Sequence, residues 1–381
     1  MAASPAFDVA VVGAGPIGSS LALMLARRGL RSILIDKEQF PRDKPCGEGL
    51  MPSGAAILEE LGLDLSDLPR LEAVSYHLPG RGTAIGTFPP GRVGRGVRRL
   101  EFDARMAELA ARSPHVQAEF GCRLLTLEVG GGSVGIETSR GSTSARILVG
   151  ADGQHSLVAR LMGWSAEPRG PRRHALVGHL DAPGHGAKAI SVTLLEDCEV
   201  YLAPTAHDEL LVAVLAGHGH LRRPGESVFG AYRDRLAEAH PALEGCSSGK
   251  LRGAGPFRTR PPRIASERIF LVGDAAGFLD PLTGDGLTAG LLSARYLADR
   301  LARFDAGAAH DYRGWERGAW WRRSVMSRLT LSLTGSSRLA ARALAGLRAR
   351  PSSLDRLLQV NEGSRPLRSL SPADWAALAG L

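Results

Sequence analysis

Paired cysteines are missing from this chain. Its four, Cys46, Cys122, Cys198 and Cys246, are too widely spaced to form a CxxC redox pair or a zinc-ligand cluster. No metal site is expected, and a reduced, cytoplasmic protein is the expectation. Uninterrupted apolar runs of about 18 residues are also missing, which argues against a membrane span. The apolar N-terminus, Met1 to Gly18, has no basic leader and runs into a glycine loop rather than a cleavage site, so it is expected to be a first strand. Aromatic residues make up only 5%, and neither an internal repeat nor a low-complexity segment is present. Lys and Arg number 47 against 39 Asp and Glu, a net charge of +8. That excess favours anionic partners. It is not gathered into a tract, and no zinc-finger, helix-turn-helix or RNA-binding signature accompanies it, so no nucleic acid partner is expected.

The chain is otherwise that of a folded protein, with 44% hydrophobic and 23% charged residues over 381 positions. This length suits a large domain with a smaller second one. FDVAVV, Phe7 to Val12, reads as a buried strand; the loop GAGPIG and an amphipathic helix ending near Gly29 follow, then a second strand, RSILID. Gly13 permits the tight turn, Gly15 lets backbone approach a pyrophosphate, and Gly18 lets helix and strand pack closely, with Pro16 and Ile17 between. Asp36, with Lys37 beside it, lies at about the 20-residue spacing expected of a ribose-binding carboxylate. Strand, loop, helix, strand and acid together predict a dinucleotide site, which NAD and FAD would share.

Further on, short strand-like pieces occupy Leu71 to Gly94, a helical pattern runs from Phe102 to Arg112, and strands return at Cys122 to Val129 and Ile147 to Gly150. SVTLL, EVYLA and ELLVAVL, between Leu176 and Leu215, predict an antiparallel sheet and a substrate domain. RIFLVGD, Arg268 to Asp274, reads as a buried strand ending at the acid, and a long helix is expected from Gly286. After Arg300 the chain turns helical and arginine-rich, with Trp315, Trp320 and Trp321. Such helices usually pack on their own domain; contact with a membrane surface or an acidic carrier protein is the alternative.

Several stretches then point to one family. Gly150-Ala151-Asp152-Gly153-Gln154-His155-Ser156, with Arg160 beyond, resembles the DG motif of flavoprotein monooxygenases of the p-hydroxybenzoate hydroxylase type. Gly273-Asp274-Ala275-Ala276-Gly277, then Pro281, Gly284 and Gly286-Leu287, looks like that superfamily's GD motif, in which Asp274 would accept a ribitol or ribose hydroxyl and the helix at Gly286 would offer amides to a flavin oxygen. Arg99-Leu100-Glu101-Phe102-Asp103 is similar to the RxxFD element that supplies an FAD-contacting arginine in the geranylgeranyl reductase branch; the alternative is a solvated basic turn, since Arg92, Arg95 and Arg98 lie close by. The strand near Arg123 looks like the family's adenine-side contact, made through backbone atoms. Lys44-Pro45-Cys46-Gly47-Glu48-Gly49-Leu50 resembles the CGxG loop beside the flavin ring, which would place Cys46 and Gly47 at the cofactor and let Glu48 relay protons or orient substrate. Cys46 as an inert small hydrophobe is the competing reading.

The resemblance covers roughly residues 5 to 300. It implies an α/β protein: a Rossmann-like FAD-binding domain of the three-layer ββα type, with an inserted antiparallel-sheet substrate domain and a C-terminal helical region. The FAD-binding domain would comprise 1–72, 95–168 and 258–300, the substrate domain 73–94 and 169–257, and the helical region 301–381. FAD is the implied cofactor and NAD(P)H the transient reductant. In the reductase branch the substrate sheet carries a YxWxFP-like stretch; here only Tyr201 and Pro204 match, which moves the expectation from prenyl reduction to oxygen insertion. Tyr201 and Glu48 are the expected pocket residues, and no residue is assigned as catalytic. The expected substrate is an aromatic or polyketide-like small molecule of specialised metabolism, carrier-bound or lipidic forms included. A flavin reductase of prenyl or other alkene double bonds is one alternative, and a non-catalytic flavin-binding protein another.

Overall fold

The first strand, Phe7–Val12, is buried along almost its whole length and lies at the centre of a parallel sheet, because FDVAVV offers no polar face to solvent beyond Asp8. In this computed structural model, which describes residues 5–168, 170, 172–217, 219–221, 225–303 and 307–380, it pairs in parallel with Ser32–Asp36 on one side and Gly141–Gly150 on the other. Val116–Phe120 extends the first edge and Ile269–Leu271 pairs with Gly141–Gly150. Val134–Thr138 and Leu124–Val129 continue from the other side as an antiparallel meander. The helices Pro16–Ala26, Arg99–Ala111 and Gly286–Leu301 cover one face, burying Leu21, Leu25, Phe102, Met106, Leu291 and Leu297 against the strands.

The second large sheet runs Arg252–Ala254, Arg173–Asp181, Glu209–Gly217, Cys198–Pro204, Ala189–Leu194, Ala73–Leu78, Gly82–Thr87. The strands expected between Leu176 and Leu215 are antiparallel to one another, and the strand at Ala73–Leu78 adds one parallel pairing. Ala189–Leu194 and Ala73–Leu78 pair in parallel, with Val192 opposite Tyr76, because the hairpin of residues 73–87 enters from the first domain and meets a strand more than a hundred positions later. Helix Val228–Ala239 covers one face, over Val200, Val212 and Val214. The other face carries Tyr201, Ala203, Leu211 and Ala213 in a core shared with the C-terminal helices. A small third sheet of Gly49–Leu50, Gly94–Gly96 and Arg70–Leu71 joins the two domains.

Three boundaries differ from expectation. The strand expected to end at Asp274 stops at Leu271, and Gly273–Ala275 is a single 3-10 turn, since Gly273 takes a left-handed φ of 63° that no strand accommodates. The helix expected from Phe102 starts at Arg99, and the strand expected from Cys122 starts at Leu124. The C-terminal helices Ala308–Thr334, Ser337–Ala349, Pro351–Asn361 and Pro372–Ala379 pack on their own chain: Leu344, Leu347, Leu354 and Leu358 are buried on the substrate sheet. Trp315 stacks on Tyr296 at 4.9 Å between ring centroids, while Trp321 stays 60% exposed. No helix of the described residues is long and apolar enough to cross a membrane, and no cluster among them could hold a metal ion.

Candidate functional site

The turn after the first strand leaves no room for side chains. Gly13 has a φ of 104°, and a Cβ there would lie 2.5 Å from the Ala151 carbonyl oxygen; one on Gly18 would lie 1.7 Å from the Gly13 carbonyl oxygen. Gly15 differs, because its open side meets only the Arg42 guanidinium, 3.4 Å from where a Cβ would stand. Helix Pro16–Ala26 has no side-chain cap and no acid in its first turn, so its leading amides are left for an external anion. Ile17 packs on Gly273 and Gly290, which docks this loop against the GD motif.

Asp36 is buried, and its carboxylate accepts from the Ala14 amide at 2.7 Å and the Glu38 amide at 2.9 Å. It therefore anchors the glycine loop and retains lone pairs for a ribose hydroxyl. Lys37 faces solvent beside Glu38. The Cys122 amide donates to the Asp36 carbonyl, which sets the next strand beside the acid. Arg123 itself is exposed; its amide donates to Ser139 Oγ and its carbonyl accepts from the Ser139 amide, so its backbone donor is already used.

At the DG motif, one Asp152 oxygen accepts from the Leu157 and Val158 amides and so caps helix Leu157–Leu161, whereas Oδ1 is buried without a partner. Burial raises the Asp152 pKa. Asp274 is half-buried, with no hydrogen bond to its carboxylate among the described residues. Lys44 lies between the two motifs: its Nζ is 2.8 Å from where a Gly153 Cβ would be, and burial lowers its pKa while Asp274 opposes that effect. Beyond Asp274, the Pro281–Thr283 turn ends at Gly284, whose φ of 64° is left-handed, and helix Gly286–Leu301 opens with no side-chain cap. Gly286 is exposed with nothing within 4 Å of a Cβ position, and Leu287 is half-buried on the core of the first domain.

Arg99 does not form a solvated basic turn. It is buried at the start of its helix, with Nε 2.6 Å and Nη2 2.7 Å from the two Asp103 oxygens. Burial opposes the charge, but Asp103 outweighs it and raises the Arg99 pKa. Arg42 reaches the same carboxylate at 3.0 Å. Cys46 is a free, half-buried thiol.

Glu48 takes a left-handed φ of 54° while wholly buried. Its Oε1 accepts from the Arg99 amide at 2.9 Å and lies 3.4 Å from Arg98, and its Oε2 lies 2.8 Å from His179 Nε2 on the substrate sheet. A loop that sequence alone marks as flavin-side is therefore latched to the second domain. Tyr201 extends from that sheet between two glycine loops: its ring is 3.4 Å from a Gly47 Cβ position and its hydroxyl 2.9 Å from one on Gly49, with Gly284 at 3.8 Å on the other side. Burial pushes its phenol pKa far up. Beside it is a small cavity walled by Met51, Val74, Ile190, Leu282, Leu358 and Asn361. Arg42, Arg98, His179 and Asn361 were not singled out from the sequence. The first two lie in basic or Pro-rich stretches that carry a hint; His179 and Asn361 carry none.

The sequence pattern of the FAD binding domain matches residues 6–313. The chain belongs to this family. This FAD-binding protein is 28% identical to the menaquinone reductase of Mycobacterium tuberculosis (strain ATCC 25618 / H37Rv), over 79% of this chain and 78% of the relative. It is also 28% identical to a 3-(3-hydroxy-phenyl)propionate/3-hydroxycinnamic acid hydroxylase of Mycobacterium sp. (strain JLS), over 80% of this chain and 55% of that one. Its fold is shared with a flavoprotein/dehydrogenase from Cytophaga hutchinsonii, with a TM-score of 0.80 at 19% identity and coverage of 94% and 93%. The site fits FAD: a glycine cradle that excludes Cβ atoms, two uncapped helix starts, an unpartnered Asp152 oxygen and the half-buried Lys44 converge from separate motifs.

Proposed function

We propose that this FAD-binding oxidoreductase is a monooxygenase that hydroxylates an aromatic or polyketide-like small molecule, consuming NAD(P)H and O2. The observation that carries this reading is Tyr201, a buried phenol seated between the Gly47–Gly49 loop and Gly284 against a wall of hydrocarbon. An apolar, water-poor site with few polar atoms suits a planar, weakly polar substrate and protects a reactive oxygen species from solvent. Bound FAD would supply the two-electron redox chemistry and O2 activation, with NAD(P)H as reductant, one oxygen entering the product and the other leaving as water. The chain's own part is positional. Gly13, Gly15, Gly18, Asp36, Arg42, Lys44, Asp274 and the Gly286 amide would hold the cofactor, and Tyr201 would orient the substrate. Similarity to the hydroxyphenylpropionate hydroxylase supports this reading.

Purified, FAD-loaded protein given a panel of phenols should consume NAD(P)H and O2 faster with a true substrate and yield a product heavier by one oxygen. A product heavier by two hydrogens, formed without O2, would refute the reading. That outcome belongs to the second reading, an alkene or quinone-chain reductase, supported by the Cys46–Gly49 loop and by similarity to the menaquinone reductase. Dithionite-reduced protein saturating a polyprenyl substrate under anaerobic conditions would establish it.

A further inference from the structure

Away from the flavin cradle, a cleft of about 740 Å3 opens between residues 260–267 and helix Ala308–Thr334. That volume lies within the range of roughly 300–1,000 Å3 typical of small-molecule sites. None of the residues assigned above to FAD lines it. The helix is seated on the GD turn, where the Trp320 ring lies 2.6 Å from the position of a Gly277 Cβ.

The lining is cationic. Arg260, Arg263, Arg313 and Arg317 are set against only two carboxylates, Glu267 and Glu316. Glu316 is buried and already committed, accepting from Ser293 Oγ at 2.6 Å and lying 4.0 Å from Arg323. Arg260, Arg263 and Arg317 have no carboxylate within ion-pairing distance among the described residues. Arg313 and Arg317 stand one turn apart on the helix and so share a face. The like charges are held together by aromatic rings: the Arg260 guanidinium lies 4.6 Å and that of Arg323 5.5 Å from the Trp320 centroid, and Arg263 lies 5.9 Å from that of Trp164. A guanidinium stacked on a ring is fixed in orientation, yet the N–H groups at its edge stay free for an acceptor. Arg323 Nε is buried with no partner at all. Partial burial lowers the Arg260 pKa; Glu316 opposes that effect, and Arg323 and Arg317 add to it. An anion in the cleft would relieve this repulsion.

The chemistry of that anion follows from the donors. Several guanidinium edges with uncompensated charge match the non-bridging oxygens of phosphate, which arginine binds in bidentate fashion. The apolar wall of Pro261, Ile264 and Ala276 suits the organic body of an ester. A recess admits such a molecule, whereas a flat bilayer would touch only its rim. We propose that this cleft is a second ligand site, separate from the FAD cradle, for a phosphate ester of nucleotide size, with Arg260 and Arg317 taking its phosphates and Arg263 and Arg313 adding charge.

The test is isothermal titration calorimetry of FAD-saturated protein with 5′-AMP, 2′,5′-ADP and 3′,5′-ADP. Saturating FAD occupies the dinucleotide cradle, so the adenosine probes report on the cleft. Wild type should bind at least one of the two bisphosphates about tenfold or more tightly than 5′-AMP, because the second phosphate adds charge-assisted hydrogen bonds. Preference for the 2′-phosphate would name a phosphorylated nicotinamide nucleotide as the source, and preference for the 3′-phosphate a coenzyme A ester. Arg317→Gln, at an exposed position without an ion pair, should weaken the tighter probe about tenfold, and Arg260→Gln likewise. Glu267→Gln should tighten it, a gain that no folding defect can produce. No binding of either bisphosphate by wild type, equal binding of 5′-AMP, or affinities that Arg317→Gln and Glu267→Gln leave unchanged each overturn the proposal. Binding to phosphatidylglycerol vesicles without binding to any soluble probe also overturns it and makes the arginines part of a membrane-facing surface. No turnover is read, so the reaction class can be wrong while the cleft stands, and the reverse.

Discussion

At Gly18 the methyl group of an alanine would occupy the place of the Gly13 carbonyl oxygen, 1.7 Å away. Gly18→Ala should therefore yield protein that retains little or no FAD, measured as flavin absorbance per chain after gel filtration; a fully yellow variant would sink the cradle reading. Asp103 makes the opposite kind of demand. It is fully buried and neutralises both Arg99 and Arg42, so Asp103→Asn leaves two cations with no carboxylate there. Breaking a buried pair costs about 3–5 kcal/mol, and denaturant unfolding should show a loss of that order. The tyrosines give a pH signature. Of five, burial pushes Tyr76 up to about 12, with Asp285 adding to the shift, and it pushes Tyr201, Tyr232 and Tyr312 higher still. An ultraviolet titration should show at most one phenol ionising below pH 11 while the protein is folded. The sign for stability follows: these phenols ionise near 10 in the unfolded chain but stay neutral when folded, so their stabilisation is intact below pH 10 and is lost as pH rises beyond it.

Elements meet through contacts that propensity does not describe. Helix Pro351–Asn361 lies on strand Gly82–Thr87 at Gly86, where a Cβ would be 2.7 Å from both Leu354 and Leu358. Gly86→Val should push this helix outward at a cost of about 1–3 kcal/mol, seen as a lower Tm. The last helix, Pro372–Ala379, is held by a capping box: Ser371 and Asp374 exchange hydrogen bonds, and Arg356 pairs with the Asp374 carboxylate. Burial opposes the Asp374 charge, but Arg356 and the Ser371 amide outweigh it and hold its pKa well below 3.8. A depressed carboxylate stabilises above its unfolded pKa and loses that contribution as pH falls toward the folded value. Stability should thus decline from about pH 4 downward, and Asp374→Asn, which breaks the capping box at its N3 residue, should flatten that decline by about 1 kcal/mol. A decline unchanged in the variant would assign it to other carboxylates.

Across the whole molecule, cofactor and fold are linked. The motifs of the site come from segments between residues 13 and 287, so FAD binding should stabilise the chain globally, by about 2.7 kcal/mol at a hundredfold excess over Kd. A thermal scan with and without added FAD checks this; protein that stays colourless and gains no Tm from added flavin contradicts the family-based reading at its root. The parts legible beforehand were those whose chemistry lies close together along the chain. GAGPIG with Asp36, the strand periodicity of EVYLA and ELLVAVL, and the uncapped start at Gly286 each express a local requirement of backbone space, alternation or amide exposure. A one-dimensional string records these directly. It misplaced the end of the strand before Asp274 and gave no sign of the one parallel pairing, because a left-handed glycine and a distant hairpin decided them.

The amino-acid sequence by itself determined that a dinucleotide would be cradled, and where, since only glycine satisfies the contacts at positions 13 and 18. Tertiary structure alone decided what surrounds the reacting end of that site. Glu48 meets His179 across 131 positions and Asn361 meets Thr283 across 78. The reason is physical: a residue's type sets what it can donate, accept or exclude, but its partner is chosen only when the two domains and the C-terminal helices close on one another.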